Sequence, residues 1–135
     1  MSLRSIPLIV IAFILYNVIV LLFGPEALAK LALPEVHMLS GGVWQFTWGD
    51  FIILATLILL FIELVKSTYT TTSSLVDHGL SMVVFVACLV EFLMVPQAAT
   101  SVFFLVVIAT SIDVIAGFTI GIRVAQRDLT LGTAN

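Results

Sequence analysis

The chain is 135 residues long, 61% hydrophobic and only 10% charged, with a net charge of −3 and a mean hydropathy of +1.27. Such values fall outside the range of soluble domains and indicate an integral membrane protein. The small, scattered negative charge offers nothing to nucleic acid, and the lone Cys88 excludes both an intrachain disulfide and a cysteine-type zinc cage.

Four apolar runs predict transmembrane helices over residues 6–23, 50–68, 75–95 and 100–123. Three of them approach or exceed the roughly 18–20 residues that a helix needs to cross a hydrocarbon core. The second has a shorter apolar stretch, flanked by Thr47, Trp48, Ser67, Thr68 and Tyr69, which suit the interface. The connections are too short for an aqueous domain. The expected architecture is therefore an all-α membrane protein: a single-domain, antiparallel four-helix transmembrane bundle with a short interfacial amphipathic segment between its first two helices.

Arg4 before the first run and Ala27-Leu28-Ala29 after it imitate an export signal. The run exceeds a signal core of about 7–15 residues, so it reads as a retained first helix. Gly24-Pro25 ends that helix, because Pro25 lacks an amide donor. From Glu26 to Leu33, Leu28, Leu31 and Ala32 fall on one side, with Glu26 and Lys30 spaced i,i+4 on another, as in an interfacial turn of helix. Pro34 stops it and Gly41-Gly42 loosens the chain. Trp44, Phe46 and Trp48 then recur at every second residue, and the indoles of Trp44 and Trp48 serve as interfacial anchors. The same period of two also suits a small strand or a lid.

After the second helix, the polar stretch 67–74 reads as a turn, in which Ser73 or Ser74 caps the third helix and Asp77 favours its N-terminal dipole. Pro96-Gln97-Ala98-Ala99 is so tight a link that the third and fourth helices must be antiparallel neighbours. Arg4, Lys66, Arg123 and Arg127 fall on one side and Lys30 alone on the other. This bias puts both termini in the cytoplasm, and the compact multi-pass form suggests a bacterial cytoplasmic membrane.

Ionisable groups inside a bilayer each need a reason, since insertion costs about 2.5–3.5 kcal/mol apiece. Asp113 lies about ten residues, roughly 15 Å of helix, from Arg123. Glu63 reaches a similar depth in the second helix, and His78 enters the third from the same side. With Lys66 they form an inner-half set drawn from three helices, a candidate proton or ion pathway. The competing reading is local: Glu63 pairs with Lys66, His78 serves its own helix end, and Asp113 ties two helices together. Asn17 and Glu91 form a second polar layer toward the outside, and Asp77, Ser81, Val84, Cys88 and Glu91 fall on one seam of the third helix. On the fourth helix, Ala109, Asp113, Gly117 and Gly121 recur every four residues, and Gly117 and Gly121 complete a GxxxG of the kind that lets helices approach closely, within the fold or across an oligomer.

No phosphate loop, HExxH, CxxC or G-x-S-x-G is present, and His37 and His78 fall on opposite sides of the bilayer, so neither metal nor other cofactor is expected. An intramembrane hydrolase built on Asp50, Glu91 or Asp113 is a distant third possibility. The leading expectation is a non-enzymatic subunit that packs against other helices, as a homo-oligomer or as an accessory part of a membrane complex in the lipid bilayer. The alternative is a small proton- or cation-coupled transporter or channel subunit that uses the intramembrane carboxylates.

Overall fold

The computed structural model describes residues 6–69 and 72–133, without the side chains of 72–75, 77, 128 and 133. Arg4 and the side chains of Ser73, Ser74 and Asp77 lie outside what is described. Helices take up 76% of the chain, which makes the class all-α. They are α1 (Ile9–Phe23), α2 (Trp48–Lys66), α3 (Thr72–Met94) and α4 (Ser101–Thr133), with short 3-10 turns at Pro25–Ala29 and Pro96–Ala98.

Each boundary has a local cause. Pro7 holds α1 back to Ile9, later than the run beginning at residue 6, and its carbonyl accepts from the Val10 amide at 3.3 Å. Gly24, at φ 83°, ends α1 in a conformation that favours glycine. Thr47 opens α2 with a full capping box: its hydroxyl accepts from the Asp50 amide and the Asp50 carboxylate accepts from the Thr47 amide, both at 3.1 Å. α3 begins at Thr72, so Ser73 and Ser74 fall inside its first turn and not at the expected cap. α4 runs about ten residues past its expected end near 123, because 124–131 contain neither proline nor glycine. Arg123 and Arg127 therefore lie on the helix. Hydropathy ends there, but backbone hydrogen bonding does not.

The connection between α1 and α2 departs most from expectation. Its helical turn stops at Ala29, and Lys30 is already extended at φ −77°, ψ 146°, so Glu26 and Lys30 do not form a helical pair. The chain then folds back as a hairpin, with β1 (Val36–His37) antiparallel to β2 (Val43–Trp44) and Val36 opposite Trp44. Further bonds, from Ala32 N to Phe46 O (2.8 Å) and from Trp48 N to Lys30 O (3.0 Å), extend the pairing to the base of α2. Gly41, at φ 92°, makes the turn. The period of two in Trp44, Phe46 and Trp48 is thus strand-like pairing, and Trp44 and Trp48 remain partly exposed.

α4 packs against both α2 and α3, while α1 packs on α2 and touches the other two. The core gathers Tyr16, Val20, Ile52, Cys88, Phe103, Val106 and Val107, and a smaller group of Ile9, Leu60 and Ala109 continues it. α1 contributes Ile9, Ala12, Tyr16 and Val20, one stripe at helical spacing. Outside this core the surface is apolar on every helix: Leu21, Phe61, Val83 and Ile115 are all about two-thirds exposed. Two segments, Trp48–Lys66 and Ser101–Gly132, are long and apolar enough to cross a membrane; Ile9–Phe23 and His78–Met94 are shorter apolar helices. The 15 residues of α1 rise about 22 Å, less than the ~30 Å of a hydrocarbon core.

Candidate functional site: a buried polar cluster

Beyond the apolar core, one end of the bundle collects polar side chains from three helices. Glu63 is fully buried on α2. Its Oε1 accepts from Lys66 Nζ at 2.9 Å, one turn further along, and from the backbone amide of Leu8. Lys66 Nζ also donates to the Ile6 carbonyl at 3.1 Å. Leu8 is the N-cap of α1 and has no side-chain cap of its own, so Glu63 supplies the missing acceptor from another helix, a negative charge at a helix N-terminus.

Asp113 on α4 is 2% exposed. Glu63 and Lys66 both act on it electrostatically, and the Ser81 hydroxyl of α3 lies beside it without reaching hydrogen-bond geometry. His78, 4% exposed on α3, is within the fields of Glu63 and Lys66. The predicted inner set of Glu63, Lys66, His78 and Asp113 is therefore brought together, and of its local alternative only the Glu63–Lys66 pair is seen; His78 lies against α4 rather than at its own helix end. Four buried polar atoms here have no hydrogen-bond partner among the described residues: Glu63 Oε2, His78 Nε2, Ser81 Oγ and Asp113 Oδ2.

The small-residue ridge of α4 explains how the imidazole fits. A Cβ on Gly117 would stand 2.8 Å from His78 Cε1 and 2.9 Å from Nδ1, and one on Gly121 would stand 2.9 Å from Nε2. The ring lies in the groove that the two glycines leave, with the Phe118 ring centroid 5.0 Å away. Ala109, higher on the same ridge, packs with Ile9 and Leu60. The GxxxG thus receives a side chain of its own protomer.

At the other end, Asn17 Nδ2 donates to Glu91 Oε2 at 3.1 Å and to the Phe13 carbonyl at 2.9 Å, so these two residues do share a layer. Sequence reasoning passed over Tyr16 beside them. Its hydroxyl donates to the Gln97 carbonyl at 3.0 Å and lies 2.7 Å from Thr100 Oγ1, tying α1 to the α3–α4 link. Its i,i+4 spacing from Ala12 and Val20 was the available signal. Between the two polar layers the α3 seam is closed: Cys88 is fully buried in the apolar core, and Val84 packs against it. The seam therefore does not form a continuous polar lining from Glu91 to Ser81.

Among the described residues no group of His, Cys, Asp and Glu has the geometry to hold a metal ion. What the arrangement offers is a pair of buried carboxylates, an imidazole and a hydroxyl, with a partly exposed ammonium at their edge, able to hold or pass a proton. No known protein family, curated protein or solved structure matches the chain, so the polar cluster stands on its own geometry.

Proposed function

We propose that this chain is a four-pass integral membrane protein, with both termini cytoplasmic, whose polar cluster carries protons or a small cation as part of a transporter or channel subunit. The observation that supports it is the set of four buried polar atoms, on three helices, that find no hydrogen-bond partner among the described residues. Buried polar groups are as a rule hydrogen-bonded. Leaving one buried polar group unpaired costs about 1–3 kcal/mol, which makes four in one layer an expensive arrangement unless an exchangeable species occupies it. Charge counting among the described residues suggests which species: Lys66 pairs with Glu63, which leaves the second buried carboxylate, Asp113, to hold a proton or a cation.

The membrane setting is supported by the inversion of the usual pattern, with charged groups inside and large apolar side chains over the outer surface. A second reading, an accessory subunit in a larger membrane assembly, is favoured by the apolar layer of Cys88, Phe103 and Val106, which closes the middle of the bundle. The homo-oligomer reading loses the GxxxG as its support, since His78 fills that groove.

Proton flux into liposomes containing the purified protein tests these readings. Flux in the wild type that is lost in folded Asp113→Asn and Glu63→Gln variants supports the carrier role. A wild type that transports nothing refutes it for the isolated chain and leaves the accessory reading.

A further inference from the structure

On the opposite end of the bundle from the polar cluster, α1 finishes and α2 begins side by side, and a cavity of about 250 Å³ lies between them. Ile19, Phe23 and Ala27 form its apolar wall, and Lys30 and Trp48 form its rim. The rim is fixed by the hairpin, because the Trp48 amide donates to the Lys30 carbonyl at 3.0 Å. Neither the Lys30 ammonium nor the Trp48 indole N–H has an acceptor among the described residues. The nearest carboxylate in sequence, Glu26, is folded back against Gly24 and does not line the cavity.

We propose that this cavity binds an anionic phospholipid from the outer leaflet, its phosphate on Lys30 and Trp48 and the upper part of an acyl chain along Ile19 and Phe23. The inference rests on the membrane-spanning reading of the chain. Three features carry it. The site combines two hydrogen-bond donors, one of them cationic, with a concave apolar wall, which is the pattern of a ligand pocket and not of a smooth lipid-facing helix. Phe23 is 68% exposed, so the wall continues onto the outer surface of α1, where a chain has room to lie. Trp48 stands where α2 starts, at the level where indoles meet headgroups. A phosphodiester matches the donors in charge and number, whereas a zwitterionic headgroup brings its own cation to compete with Lys30.

The test is quenching of Trp48 fluorescence by brominated lipids in nanodiscs, with Trp44→Phe making Trp48 the sole tryptophan. Brominated phosphatidylglycerol is compared with an equal amount of brominated phosphatidylcholine, each in an unbrominated phosphatidylcholine background. One lysine beside anionic lipid corresponds to about five-fold local enrichment, so quenching by phosphatidylglycerol should saturate at correspondingly lower content. Lys30→Gln should erase the preference and Lys30→Arg should keep it. Equal quenching by the two lipids, or a preference that survives Lys30→Gln, overturns the site. Failure of the protein to co-float with lipid vesicles overturns the membrane reading itself, and is seen before any bromine is added.

Discussion

Substituting Gly117 by alanine tests whether the α4 ridge is a socket for His78. The new Cβ would sit 2.8 and 2.9 Å from two ring atoms, against an ordinary van der Waals separation of roughly 3.5–4 Å. The ring must therefore retreat by more than half an ångström. It is 4% exposed and backed by Phe118, so it cannot simply swing into open space. Overpacking of this kind costs about 1–3 kcal/mol. Alanine is also the better helix former by about 1 kcal/mol, which pulls the other way and sets the net loss toward the lower end. In a His78→Ala background the obstruction is gone and Gly117→Ala should become neutral or stabilising. Reversible unfolding in mixed detergent micelles, run as a double-mutant cycle, should give a coupling of about 1–3 kcal/mol. Equal losses in both backgrounds would refute the socket. So would a change of oligomeric state on Gly117→Ala that His78→Ala does not alter, which would return the glycines to an intermolecular interface.

The other expectations follow from named contacts. Tyr16→Phe removes the bonds to Gln97 and Thr100 and should lower stability by about 1–2 kcal/mol, read in the same unfolding assay. Glu63→Leu takes away the trans cap of α1 and one of the partners of Lys66. Because Lys66 still reaches water, the loss should be about 1–3 kcal/mol, with faster hydrogen exchange at the Leu8 amide than in the middle of α1. Cys88, buried in the apolar layer, should resist water-soluble thiol reagents in the folded protein in liposomes and react after denaturation. Rapid labelling in the folded state would mean that water crosses the bundle.

Much of the fold could be read in advance, because apolar runs of helical length leave few alternatives. The four helices lie where the runs lie, α3 and α4 are antiparallel as their short link requires, and Asn17 meets Glu91 as their depths implied. The errors have physical causes. Hydropathy reports where lipid would be, not where backbone hydrogen bonding stops, so the apolar run ends near Arg123 while α4 continues to Thr133. The segment around Lys30 carried a plausible i,i+4 pattern, yet pairing between the 30–32 and 46–48 backbones, visible only in three dimensions, prevailed. The inner cluster was legible as a set of depths. Its decisive feature is not: pairing Glu63 with Lys66 leaves one carboxylate oxygen without a partner among the described residues, and the glycines at 117 and 121 admit a histidine ring instead of a helix. Both depend on how the helices are rotated, which spacing alone does not specify.

The carrier role of the cluster turns on Asp113, which beside the Glu63–Lys66 pair is proposed to hold an exchangeable proton. Infrared difference spectroscopy of the protein in lipid, on a shift of pH and on exchange into heavy water, reads buried carboxyl groups directly. A protonated-carboxyl band should appear that responds to pH, shifts in heavy water and disappears in Asp113→Asn while the amide bands stay unchanged. A wild-type spectrum with no such band at any pH that keeps the protein folded, or a band that Asp113→Asn and Glu63→Gln both leave intact, would contradict it.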